Sequence, residues 1–167
     1  AGKTETSMIN ITIICVGKIK EKYLSLGIAE YHKRLQRFAK IDIIEIADEQ
    51  IPENVNASLS EHILESEGTK ILSKISKDAY IVTLEIAGDL LSSEEMADFI
   101  TKICTYQTSK IVFIIGGSLG LSPLVKKKAN KAISFSKMTF PHQLMRLILF
   151  EQLYRSFTIL ANITYHK

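Results

Sequence analysis

Cysteine is scarce in this 167-residue chain: Cys15 and Cys104 stand far apart with no C-x-x-C spacing. That pattern excludes a disulfide framework and a zinc site, and both thiols are expected to be buried and inert. No run approaches the roughly 18–20 consecutive apolar residues that a membrane-spanning helix requires, and no signal-peptide stretch opens the chain. A cytoplasmic protein without membrane or metal partners is the expectation. Internal repeats, low-complexity tracts and linkers are missing as well, so a length of 167 residues with 46% hydrophobic and 23% charged side chains fits one domain with its own core. Ala1 to Ser7 reads as the remnant of an expression tag ahead of Met8, leaving 8–167 as the single domain.

Acidic residues are nearly absent from the C-terminal third. Residues 110–167 hold nine Lys or Arg against Glu151 alone, whereas residues 1–109 hold 12 against 17 acidic residues. The two parts therefore carry +8 and −5. A polyanion-binding face has this signature. A solvated basic surface has it too, because Lys126, Lys127, Lys128 and Lys131 fall in one helical stretch.

What is present alternates regularly. Short β-branched or apolar runs at 9–16, 41–47, 79–86, 110–117 and 132–136 read as strands. Helical spacing is found at 21–38 and 58–76, from Ser92 or Ser93 to Tyr106, at 122–130 and at 139–160. Ser58 with Glu61 has the spacing of a capping box, and Pro123 and Pro141 stand at helix starts. Such alternation predicts an α/β fold with a mostly parallel sheet and helices on both faces.

Ligands of such sheets bind beyond the carboxyl ends of the strands. The GGSLG segment at 116–120 follows the most apolar strand, and its glycines would let backbone amides approach a ligand. No Gly-Lys-Ser/Thr end makes it a P-loop, and it comes too late in the chain for a dinucleotide fingerprint. A tight turn explains it equally well. LEIAG at 84–88 reads as a strand ending in a glycine turn. The loop SFSKMTFPH at 134–142 mixes small polar groups with aromatics, a composition suited to a flat heterocycle. The last helix is apolar almost all round, and must be buried in the core or against a partner chain. Glu151 and Arg155 on it are an i,i+4 pair worth a few tenths of a kcal/mol, while Arg155 beside Tyr154 would also suit stacking on a base. The terminal Tyr165-His166-Lys167 either frays or, tied down, presents an aromatic, an imidazole and a cation together.

Together, LEIAG, IIGGSLGL, FSKMTFPHQLMR, EQLYRSF and the terminal YHK resemble the SPOUT-class methyltransferases, in particular the small members that modify a pseudouridine in large-subunit ribosomal RNA. The resemblance extends over Met8 to Lys167. It implies a C-terminal trefoil knot, a homodimer, and S-adenosylmethionine-dependent methylation of N3 of a pseudouridine in helix 69 of 23S rRNA on assembled ribosomes. Carried over position by position, it places cofactor contacts at Leu84, Gly116, Phe135, Ser136, Lys137, Met138, Thr139 and Phe140, and substrate handling at Arg155, Tyr165 and His166. His166 is then the candidate general base, and Arg155 the candidate holder of phosphate or developing oxygen charge. Two competing readings are a non-catalytic ribosome-associated RNA-binding protein and a flavodoxin-like or Rossmann-like nucleotide binder.

Overall fold

The computed structural model describes residues 8–49 and 51–167. Residues 1–7, read above as a tag remnant, lie outside the described residues. Ten elements alternate along the chain: β1 (Ile9–Val16), α1 (Lys22–Leu35), β2 (Ala39–Ile46), α2 (Ala57–Ser73), β3 (Tyr80–Leu90), α3 (Ser93–Tyr106), β4 (Lys110–Ile115), α4 (Pro123–Lys128), β5 (Lys131–Ser134) and α5 (His142–Leu160). The strands form one parallel sheet in the order β2-β1-β4-β3-β5.

Side chains alternate across a strand, so a strand buried on both faces divides its residues between two cores. Ile11, Ile13 and Cys15 of β1 join Ile111, Phe113 and Ile115 of β4 on the face covered by α1, α3 and α5. Ile14 and Val16 join Val112 and Ile114 on the opposite face, under α2 and α4. Apolar residues at nearly every position of these two strands are thus required twice over. Edge strand β2 needs them on fewer positions, and exposes Lys40 and Asp42.

Local chemistry fixes the helix ends. Ser92 caps α3 by a complete capping box with Glu95, and Ser122 caps α4 with Pro123 in the first turn. For α2 the cap is Asn56, whose side chain accepts from the Leu59 amide at 2.8 Å, and not the Ser58–Glu61 box. Helix α4 stops at Lys128 because Asn130 docks on β3, donating its amide to the Ile81 carbonyl and accepting the Ile81 amide on its side chain. Helix α5 begins at His142 rather than Thr139, with Pro141 one position outside it.

The main departure from expectation is at β3. The strand does not end in a turn at Gly88; it leaves the β5 ladder after Leu84 and pairs with Ile133 and Ser134 again at Asp89 and Leu90. Ile133 thus pairs with both Leu84 and Asp89, and the β3 residues between them are out of register with β5. A Cβ at Gly88 would lie 2.7–2.8 Å from backbone atoms of Ala132 and Ile133, a separation that real side chains do not adopt. Gly88 is therefore demanded by the close approach of β3 to the β5 backbone and not by a bend.

Candidate active site

The carboxyl ends of β3, β4 and β5 open into a cleft of about 440 Å³, closed on one side by the start of α5. Leu84, Gly116, Phe135, Ser136, Met138, Thr139 and Phe140 line it, so three segments distant in sequence share one rim. Lys137, expected with them, is exposed and does not line the cleft.

Each segment is held by its own polar chemistry. The 116–120 loop folds on itself, with Gly117 bridged to Gly120 and the Gly120 amide donating to the Gly117 carbonyl at 3.0 Å. A Cβ on Gly116 would meet the Gly120 carbonyl at 2.5 Å, so closure of this loop already demands glycine there. In the 134–140 loop, Ser134 Oγ donates to the Ser136 carbonyl at 2.9 Å, and Ser136 Oγ accepts from the Met138 amide at 3.0 Å. The small polar residues there hold the loop's shape, while Phe135, Phe140 and the 73%-exposed Met138 offer apolar walls and rim.

Sequence reasoning missed several lining residues, notably Glu85, Lys126, His142 and Met145. His142 and Arg146, four apart at the start of α5, meet different surroundings: His142 lines the cleft, whereas Arg146 is buried and bound to Glu45 at 2.8 Å and to the Gly17 carbonyl at 3.2 Å.

Arg155, Tyr165 and His166 come together in a second cluster, with the tail folded back on α5. Arg155 Nε donates to Glu151 at 2.9 Å, and its guanidinium stands 4.8 Å over the Tyr165 ring. The Tyr165 hydroxyl donates to Glu151 at 3.1 Å and lies 3.3 Å from that of Tyr31. Burial first, then the Tyr31 and Glu151 contacts, pushes the Tyr165 hydroxyl above its usual pKa, and Glu151 holds Arg155 firmly charged. His166 is gripped from both sides, by Arg155 Nη1 at 3.0 Å from Nδ1 and by Glu94 at 2.6 Å from Nε2. A guanidinium only donates, so Nδ1 must be the acceptor and Nε2 must carry the hydrogen given to Glu94. The Glu94 carboxyl is lowered, chiefly by its own backbone amide and then by His166.

None of these three residues lines the cleft. Met145, which does, is ten residues before Arg155 on α5, a separation of about 15 Å along the helix axis at roughly 1.5 Å per residue. Among the described residues no three His, Cys, Asp or Glu side chains gather as a metal-binding group.

A cleft at three strand ends, beside an out-of-register stretch of β3 and a glycine loop, coincides with the match of a family model described as "Predicted SPOUT methyltransferase", which covers residues 9–166. This chain belongs to the SPOUT methyltransferase family. It is 58% identical over 159 residues to the ribosomal RNA large subunit methyltransferase H of Bacillus pumilus, covering 95% of this chain and all of the relative. Proteins of the same name from Bacillus thuringiensis and Bifidobacterium animalis are each 54% identical over 159 residues, with the same coverage. A solved probable methylase family protein from Haemophilus influenzae shares 14% identity at a TM-score of 0.49, covering 95% of this chain and 70% of that one, too distant to add weight. Membership of the SPOUT methyltransferases sets aside both the docking-only reading and the flavin or nicotinamide reading.

Proposed function

We propose that residues 8–167 act as a single cytoplasmic domain that, as a homodimer, transfers a methyl group from S-adenosylmethionine to N3 of a pseudouridine in helix 69 of 23S rRNA on assembled ribosomes. The carrying observation is that Leu84, Gly116 and Met138 meet at one cleft. Its volume of about 440 Å³ is in the range of small-molecule sites, and its apolar walls with backbone polar groups suit a nucleoside. The name shared by the relatives, which are 54–58% identical, supports large-subunit rRNA as substrate.

When bound, the cofactor supplies a methyl group already activated on a sulfonium. The chain's own task is then to fix the acceptor in line, exclude water and manage one proton. Leu84, Phe135 and Phe140 enclose the donor, with Lys137 at the outer side of the same loop. Arg155 stands about 15 Å along α5 from the cleft-lining Met145, with Tyr165 and His166 of the tail held against it, so the tail of a second copy completes each site. Because His166 Nδ1 accepts from Arg155, it takes the N3 proton only after that contact opens. An RNA oxygen that takes over Arg155 Nη1 opens it, leaving Nδ1 with a free lone pair while the guanidinium meets phosphate or developing oxygen charge. Binding of the acceptor thus makes the base available.

Labelled methyl transfer to whole ribosomes, compared with naked rRNA, tests this reading, with transfer expected to the ribosomes. His166→Ala is expected to lower the rate by about 10²–10⁴-fold. An undiminished rate removes His166 as the base, and a monomer by sedimentation at micromolar concentration removes the shared site. The basic third predicts RNA affinity that weakens steeply as salt rises.

A further inference from the structure

The cleft contains a pair of charges that no step above uses. Glu85 follows the cleft-lining Leu84 on β3, and its side chain is 18% exposed. Its Oε2 accepts from Thr83 Oγ1 at 2.7 Å, while Oε1 stands 3.5 Å from Lys126 Nζ on α4. Charge-assisted hydrogen bonds run at about 2.7–2.9 Å, so this ion pair is slack. An ionised carboxylate offers about four acceptor sites and an ammonium three donors, so each group keeps capacity for a further partner. Among the described residues lining the cleft, Glu85 is the sole carboxylate and Lys126 the sole ammonium. The neighbouring Lys131 does not compete, because it is paired to Asp89 outside the cleft.

Two opposite, under-bonded charges at the edge of a half-enclosed apolar cleft complement a ligand that brings its own pair in the reverse order. We infer that Glu85 and Lys126 form a subsite for an α-amino-acid zwitterion, the carboxylate receiving the ligand's α-ammonium and Lys126 its α-carboxylate. This rests on the cofactor reading above, since S-adenosylmethionine ends in such a group. The subsite then separates recognition of the amino-acid end from that of the nucleoside, which is left to the walls at 84, 116 and 135–140.

Calorimetry with three probes tests it: S-adenosylmethionine, its decarboxylated form, which keeps the ammonium, and 5′-methylthioadenosine, which lacks both charges. Glu85→Gln and Lys126→Met are each expected to weaken S-adenosylmethionine by about tenfold or more, and methylthioadenosine by less than about twofold. Lys126→Met should also abolish the preference for S-adenosylmethionine over the decarboxylated form, whereas Glu85→Gln weakens both. Unliganded melting temperatures of the variants check that the fold persists. Unchanged binding in both variants, or equal losses for all three probes, overturns the subsite. Failure of the unsubstituted protein to bind any of the three instead overturns the cofactor reading itself.

Discussion

Replacing Gly88 by alanine puts one methyl group against the backbone of β5. The added Cβ would lie 2.7 Å from the Ile133 carbonyl carbon, 2.8 Å from the Ala132 carbonyl carbon and 2.8 Å from the Ile133 nitrogen. Ordinary contact begins near 3.4 Å, and these atoms belong to a strand hydrogen-bonded to β3, so no rotamer change relieves the clash. Overpacking of this kind costs about 1–3 kcal/mol, which at roughly 2–4 °C per kcal/mol lowers Tm by about 2–12 °C. Two other glycines serve as controls of different sign. Gly27 lies inside α1, where its Cβ would meet only the side-chain methyls of Leu147 at 3.0–3.2 Å. Those methyls can move, and alanine in a helix interior gains about 1 kcal/mol over glycine, so Gly27→Ala should be neutral or stabilising. Gly120 has open space around its Cβ but a φ of +81°, so Gly120→Ala should cost about 1–2 kcal/mol through the backbone alone. Thermal melts of the three variants give the ranking. Gly88→Ala melting at the wild-type temperature would refute the close approach of Gly88 to the β5 backbone.

Nitrogen-15 NMR of His166 should show hydrogen on Nε2 and none on Nδ1; the opposite tautomer would break the inferred donation from Arg155. Asn56→Ala should destabilise α2 by about 1 kcal/mol, whereas Ser58→Ala should change chemical-denaturation midpoints little, because the cap is Asn56. Burial pushes the Cys15 thiol from 9.0 up to about 12, and raises Cys104 as well. Stability linked to Cys15 is therefore fully present below pH 9.0 and is lost as pH climbs through about 12, since the unfolded chain releases that proton first. Denaturant titrations against pH should show this fall, and alkylation of the native protein at pH 8 should leave Cys15 unmodified.

The dual use of one residue set complicates any reading of the cleft from sequence. Gly116 satisfies the turn and lines the cleft at once, and Ser136 shapes its loop while standing in the wall. A composition suited to ligand binding is also the composition a tight loop needs. The ambiguity between turn and site in GGSLG disappears only when that loop is seen to share a rim with Leu84 and Met138.

Elements whose signals lie within a few residues were legible in the chain alone: the two-faced apolar runs of β1 and β4, the starts of α3 at Ser92 or Ser93 and of α4 near Ser122, and the i,i+4 pair of Glu151 with Arg155. These depend on periodicity and local hydrogen bonding, which sequence spacing sets directly. Only the tertiary structure decided what depends on residues far apart. It showed that Gly88 serves a close approach to β5 and not a turn, that Arg146 answers Glu45 across the sheet, that Glu85 faces Lys126, and that Glu94 and Arg155 fix the tautomer of His166. Pairings between residues from 11 positions apart, as for Arg155 with His166, to 101 apart, as for Arg146 with Glu45, leave no periodic trace, because a side chain's partner is chosen by the path of the backbone through space and not by its neighbours in the chain.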